Sequence, residues 1–202
     1  ITVGGTNGKG TTVSMIEATY RSSGYKVGCY TSPHLISYCE RIRVSGLDVN
    51  PELLCEAFSA VDNARGSIPL TYFEFGTLAA FYIFSHLRID VAILEVGMGG
   101  RLDAVNLLNP DRAILCTIDI EHQAWLGSTR EKIGAEKAGI FRYRGKAVVA
   151  DPDPPSSVIS RLAILQCEAQ QHHKNFEVRP SGQNVWAWRH FGDATFGVGL
   201  PE

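Results

Sequence analysis

A β-branched run at the start of the chain, Ile1-Thr2-Val3, breaks into Gly4-Gly5-Thr6-Asn7-Gly8-Lys9-Gly10-Thr11-Thr12 and then into a helical pattern. Few local sequences restrict a fold as strongly. Glycines let successive backbone N–H groups turn toward one anion, Lys9 adds a mobile positive charge, and the helix that follows offers its N-terminus and a hydroxyl suited to Mg²⁺. This is how a phosphate-binding turn between a strand and its crossover helix is written. The strict P-loop spacing is not met: Val3 occupies the first glycine position, and Gly10 separates Lys9 from Thr11.

The rest of the chain alternates strand and helix. Strands are predicted at Ile1–Val3, Lys26–Tyr30, Asp90–Glu95, Arg112–Ile118 and Ala147–Ala150. The Asp90–Glu95 run is continuously apolar between its bounding acids, the mark of a strand covered on both faces. Helices are predicted from Thr11 to Ser23, from Asn50-Pro51 to Ala64, from Phe75 to Leu87 behind the capping-box spacing Thr71-x-x-Glu74, from Arg130 to Phe141, and from Ser156 to Gln171. Arg41–Val44 reads as a short strand or as part of a substrate loop. The pattern implies an α/β fold, a mostly parallel sheet with helices on both faces. Near the C-terminus, within residues 174–199, Phe176–Arg179, Val185–Arg189 and Ala194–Val198 read as antiparallel strands joined by turns at Ser181-Gly182 and Gly192-Asp193, a small extension.

Composition narrows the function. The chain has 202 residues and is 45% hydrophobic, ample for a buried core, and its formal charge of −2 comes without the basic stripe of a nucleic-acid binder. Five cysteines, Cys29, Cys39, Cys55, Cys116 and Cys167, include no C-x-x-C pair, which argues against a disulfide framework and a structural zinc and fits a reducing cytoplasm. The longest apolar stretch, Leu78–Phe84, is far below the ~20 residues that span a bilayer. The chain begins without Met and directly in a core strand, so residues are expected upstream of Ile1.

In open parallel sheets, ligands gather beyond the carboxyl ends of the strands. Those ends carry the glycine turn, Thr31 and Ser32, Glu95, and Asp119, Glu121 and His122. A hydroxyl, carboxylates and an imidazole beside a phosphate turn suit a divalent cation. His172-His173, at a predicted helix end, reads as solvated surface. A second glycine-rich loop, Gly97 to Asp103, does not match G-x-G-x-x-G, so no dinucleotide site is expected. A P-loop small-molecule phosphotransferase and a non-catalytic nucleotide-binding fragment both remain open on these residues.

With these residues in hand the chain resembles the folylpolyglutamate synthase/dihydrofolate synthase family of the Mur ligase superfamily. The resemblance runs through Gly5 to Thr11, Tyr30 to Leu35, Leu70 to Gly76, Leu94 to Asp103, His122 with Trp125-Leu126-Gly127, and Glu136 to Phe141, in that order. It implies the ATP-binding central domain of a bifunctional enzyme, residues 1–202, without the extreme N-terminal segment and the C-terminal glutamate-ligase domain. The implied reaction is an ATP- and Mg²⁺-dependent amide ligation, in which a carboxylate is activated as an acyl phosphate and then attacked by the amino group of L-glutamate. Dihydropteroate and folates are the implied acyl substrates, in a cytoplasmic protein that is a monomer at full length and binds neither nucleic acid nor membrane. By motif, Thr6, Asn7, Gly8, Lys9, Gly10 and Thr11 hold ATP, with Lys9 also catalytic. Thr11, Ser32, Glu95 and His122 are implied ligands of two Mg²⁺ ions, and His122 has a catalytic role. Lys137 corresponds to a lysine carried as a carbamate. Thr71, Tyr72, Phe73, Glu74, Leu102, Asp103 and Ala104 form the implied pterin pocket. One departure is visible: Glu121 stands where the family commonly has Asp before the metal histidine.

Overall fold

Consecutive residues of the central strands are apolar because each face of the sheet has its own cover. The computed structural model describes residues 1–182, 185–191 and 195–199. In chain order the elements are β1 (Thr2–Gly4), α1 (Lys9–Ser22), β2 (Val27–Tyr30), β3 (Ile42–Val44), β4 (Leu47–Asp48), α2 (Pro51–Arg65), α3 (Tyr72–His86) and β5 (Val91–Glu95). They continue with β6 (Arg112–Leu115), α4 (Gln123–Leu126), α5 (Arg130–Lys137), β7 (Lys146–Val149), α6 (Ser156–Ile164), β8 (Glu168–Gln171), β9 (Phe176–Gly182), β10 (Val185–His190) and β11 (Thr195–Gly199). An eight-stranded sheet runs β4-β3-β2-β5-β1-β6-β7-β8, parallel from β2 to β8 and antiparallel at its β3-β4 edge. Ile93 packs with Val3, Val13 and Val27 under α1, while its neighbour Leu94 joins Ile83, Leu115 and Ile140 on the face that α2, α3, α5 and α6 line. That alternation between two cores turns a half-apolar strand pattern into a continuous one. A separate three-stranded antiparallel sheet has the order β11-β10-β9.

Helix starts follow local chemistry. The Asn50 side chain accepts from Leu53 N at 2.7 Å and Pro51 opens α2. Thr71 and Glu74 complete the expected capping box: Thr71 Oγ1 accepts from Glu74 N at 3.3 Å, and Glu74 Oε2 accepts from Thr71 N at 2.7 Å. Such caps contribute about 1 kcal/mol each. This one also settles where α3 begins, and so which of its residues face the sheet's carboxyl edge.

Several boundaries differ from the sequence expectation. Helix α1 begins at Lys9, two residues before Thr11, so the lysine belongs to its first turn. Strand β6 ends at Leu115, because Ile118 N turns aside to donate to Asp151 Oδ2 at 2.7 Å. The helix expected from Ser156 to Gln171 stops at Ile164: Gln166 adopts φ 51°, and Glu168–Gln171 pair with β7 as the parallel edge strand β8. A polar edge strand of Glu, Ala, Gln and Gln has no apolar run to announce it. Ile42–Val44 is a strand, with Arg41 closing a short 3-10 turn before it. Ser181 and Gly182 lie within β9 instead of a turn, and the Gly192-Asp193 turn falls outside the described residues. His172-His173 follows β8 and is no helix end; His172 is half-buried and stacks on His173 and Phe176 at 4.0 and 5.4 Å between ring centroids. All five cysteines are free thiols, and among the described residues no helix is long and apolar enough to cross a membrane.

Close approach of α3 to the sheet depends on Gly28 in β2, where a Cβ would lie 2.7 Å from Phe84 ring atoms and from Ile89 Cδ1. Gly28→Ala should therefore cost about 1–3 kcal/mol through overpacking. Urea unfolding at constant slope would register it as a lowered midpoint; an unchanged midpoint would show that α3 can lift from the sheet freely.

Candidate active site

Strand β1 lies between β5 and β6, at the point where the strand order reverses, and the carboxyl ends of β1, β2, β5 and β6 meet there. The turn after β1 is sewn to the segment after β6. Gly4 O accepts from Cys116 N at 2.8 Å, Thr6 N donates to Thr117 O at 2.7 Å, and Thr6 Oγ1 accepts from Asp119 N at 3.1 Å. Gly5 sits at φ 142°, where a Cβ would lie 2.8 Å from Cys116 Cβ, so the turn approaches β6 only as glycine. Gly8, at φ 84°, precedes α1 without any side-chain cap, which leaves the first-turn N–H groups of α1 for an anion. Lys9 Nζ curls back to Gly5 O and Thr6 O at 2.8 and 3.1 Å, over the same turn. These groups fit the phosphates of a nucleotide.

Glu95 ends β5 at 5% exposure, and its Oε2 accepts from Ser32 N at 3.0 Å. A Cβ on Gly10 would lie 3.9 Å from Glu95 Oε1, which places the carboxylate against the first turn of α1. Burial pushes the Glu95 carboxyl above the usual carboxylate range, against the pull of the Ser32 N–H, Lys9 and Arg43. No cation among the described residues forms an ion pair with it. A buried oxygen donor of this kind, bonded to the Ser32 N–H and set against the first turn of α1, suits Mg²⁺. His122 is exposed, with its backbone at φ 43°, and among the described residues no three His, Cys, Asp or Glu side chains form a ready cluster for a metal.

Lys137, at the end of α5, is 1% exposed and donates to Glu121 Oε1 at 2.5 Å. Burial lowers its pKa, partly countered by Glu121. Glu121, one residue before His122, thus spends its carboxylate on the lysine. Arg101 holds Glu136 through Nε and Nη2 and ties the second glycine loop to α5.

Beside these groups opens a cavity of about 520 Å³ lined by Ser32, Pro33, Arg41, Thr71, Tyr72, Phe73, Glu74, Gly97, Met98, Leu102, Asp103 and Ala104. All seven residues expected to form one pocket line this cavity. Phe73 packs 5.7 Å from Tyr30, ring to ring, and a Cβ on Gly97 would reach within 2.7 Å of its Cζ. Asp103 accepts from Met98 N and Val105 N at 2.9 and 3.1 Å, while burial raises its pKa. Two residues have no place in the sequence expectation. Arg41 lines the cavity, and its only sequence signal is membership of a stretch that reads as strand or substrate loop. Arg43 pairs with Glu17 of α1 at 2.9 Å and donates to Thr31 Oγ1 at 3.3 Å, bracing the segment that carries Ser32.

Residues 3–185 match the Mur ligase middle domain. The chain is 50% identical over 157 residues to the dihydrofolate synthase/folylpolyglutamate synthase of Escherichia coli K12, covering 78% of this chain and 37% of that protein. To the protein of the same name from Haemophilus influenzae it is 42% identical over 189 residues, 94% of this chain and 43% of the relative. A solved E. coli FolC in complex with DHPP and ADP superposes with a TM-score of 0.95 at 42% identity, covering 99% of this chain and 48% of that one. A bifunctional folylpolyglutamate synthase/dihydrofolate synthase with Mn, AMPPNP and L-glutamate bound gives 0.91 at 44% identity, again over 99% and 48%. The chain spans less than half the length of each of these relatives.

A carboxyl whose folded pKa is raised costs stability once pH passes above the ordinary carboxylate range, since the folded state then holds a charge it disfavours. In metal-free solution at neutral pH, Glu95→Gln should accordingly unfold at a higher temperature than the parent. The gap should shrink as pH falls through the raised range and vanish below the ordinary one. A less stable Gln variant at neutral pH would make Glu95 a structural residue.

Proposed function

Because the chain belongs to the Mur ligase family, matched through its middle domain, we propose that it forms the nucleotide-binding part of an ATP- and Mg²⁺-dependent amide ligase that adds L-glutamate to dihydropteroate and to folylpolyglutamates. The observation that carries the reading is the double position of Ser32: it lines the 520 Å³ cavity, and its N–H holds the Glu95 carboxylate beside the phosphate turn. A substrate seated in the cavity therefore has its reactive end next to the place where a γ-phosphate would lie. That adjacency is what activation of a carboxylate by ATP requires.

In this reading Thr6 to Thr11 hold the phosphates through backbone N–H groups and the α1 N-terminus, and Lys9 leaves its own loop carbonyls to take phosphate oxygens. Ser32, Glu95, Thr11 and His122 would hold two Mg²⁺ ions, which would supply charge neutralisation on the transferring phosphoryl group. Phe73 offers a flat ring to the pterin, and Asp103 accepts from ring N–H donors. Lys137, buried with its pKa lowered, has more of the neutral amine that reacts with CO₂. As a carbamate it would add an anion to a site with few. The five free thiols suit a reducing cytoplasm. Relatives whose structures hold ADP, AMPPNP, Mn or L-glutamate support the same ligands here.

At full length the protein should release phosphate from ATP only when dihydropteroate or a folate and L-glutamate are both present. Release that ignores glutamate would mean another phosphotransferase, and the absence of any release a non-catalytic nucleotide binder. Lys9→Ala should lower turnover by about 10²–10³-fold while leaving the fold intact. Intact-mass measurement in bicarbonate should find Lys137 heavier by one CO₂, and Lys137→Ala should regain part of its activity with added small carboxylates; an unmodified lysine and no rescue would remove the carbamate.

A further inference from the structure

Arg41 is the one charged group of the cavity that the ligase reading leaves without a task. It is nine-tenths buried, at 9% exposure. Its surroundings are neutral: Nε donates to His34 Nδ1 at 2.8 Å, and the guanidinium lies 5.4 and 5.5 Å from the ring centroids of Tyr38 and Tyr72, with the Tyr30 phenol also nearby. Among the described residues no carboxylate pairs with it. Arg43, two residues on, shows the contrast, since Glu17 neutralises it at 2.9 Å. The two carboxylates that share the cavity with Arg41 are engaged elsewhere: Glu74 caps Thr71 N at 2.7 Å, and Asp103 accepts from Met98 N and Val105 N. Guanidinium desolvation is costly unless an anion with matching geometry answers it. The cavity thus carries a cationic wall at Arg41 and an acceptor wall at Asp103.

We propose that Arg41 is the anion-reading residue of this cavity and takes the substrate carboxylate in a paired, two-oxygen contact. The inference rests on the ligase reading of the same site and sharpens its substrate class: a planar ring whose donor edge meets Asp103 and whose other end is a carboxylate. The chain path agrees, because Arg41 O accepts from Thr31 N at 2.8 Å, one residue from Ser32. A carboxylate held by Arg41 is held in the cavity that Ser32 also lines. Arg41 selects acids over neutral rings of the same shape, and it orients the oxygen that will be phosphorylated.

The test uses the full-length protein without ATP and compares the affinity of dihydropteroate with that of 6-methyl-dihydropterin, which keeps the ring and lacks the carboxylate. The parent should prefer dihydropteroate. Arg41→Gln should weaken dihydropteroate by about 30-fold or more and leave the methyl pterin unchanged, and Arg41→Lys should fall between, having charge without the fork. The ratio of the two affinities is the deciding quantity, because a merely structural arginine would weaken both ligands together. Equal losses, including a loss that tracks the ring carbonyl, overturn the proposal, as does an unchanged ratio. Should Arg41→Gln fail to fold, Arg41→Lys carries the same comparison. A parent that binds no dihydropteroate and forms no glutamyl product brings down the ligase reading and this inference with it. A parent that ligates, with variants that keep the preference for the acid, brings down the inference alone.

Discussion

The seam between the turn after β1 and the segment after β6 is the constraint on which the site depends. Gly4 and Thr6 are bonded through their backbones to Cys116 and Thr117, and the Thr6 hydroxyl receives Asp119 N. Gly5 makes the seam possible by having no side chain where Cys116 Cβ already stands. Two consequences follow. The N–H groups at the start of α1 have no side-chain cap, and the turn lies between the end of β5, which bears Glu95, and the segment that follows β6. A side chain at Gly5 would separate these parts while leaving each strand intact.

Buried charge is distributed around that seam with a clear asymmetry. Five charged residues are buried among the described ones: Glu17, Arg41, Glu95, Lys137 and Asp151. Glu17 answers Arg43, Lys137 answers Glu121, and Asp151 holds Ile118 N at 2.7 Å and Arg130 Nη2 at 3.4 Å. Those pairs hold α1, α5 and the β6 loop in place. Among the described residues Glu95 and Arg41 have no ion-pair partner; Glu95 lies against the first turn of α1, and Arg41 lines the cavity. An unanswered buried charge is among the more destabilising features a fold can carry, so these two are the groups to which the proposed cation and the proposed carboxylate would bind. The same comparison explains why Glu121 is poorly placed to orient His122: its carboxylate is already committed to Lys137.

Legibility in the sequence followed the range of the interactions involved. Caps act over three residues, so Asn50 marked the start of α2; the Thr71–Glu74 box is the cap of α3 itself, which starts at Tyr72, three residues before the expected Phe75, because Glu74 is the helix's third residue and not a residue ahead of it. Two-sided burial leaves an apolar run, so β5 was plain. Strand β8 was hidden because its stability comes from pairing with β7 and its side chains are polar, and β6 appeared too long because Ile118 is apolar yet bonded to Asp151. Arg41 could not be told from any surface arginine, since only the approach of Tyr30, Tyr38 and Tyr72 removes it from water.

By itself, then, the sequence determined the alternation of the central strands with their helices up to β7, the nature of the turn after β1, and the family, because these depend on neighbouring residues and on motifs that survive as strings of letters. Tertiary structure alone decided which charges would stand unanswered. Strand order places β1 between β5 and β6, segments far apart in the chain. It is that juxtaposition, and not any local preference, that buries Glu95 against Gly10 and sets Ser32 between the phosphate turn and the cavity. Desolvation depends on the whole surrounding shell of atoms, and no stretch of sequence contains its own shell.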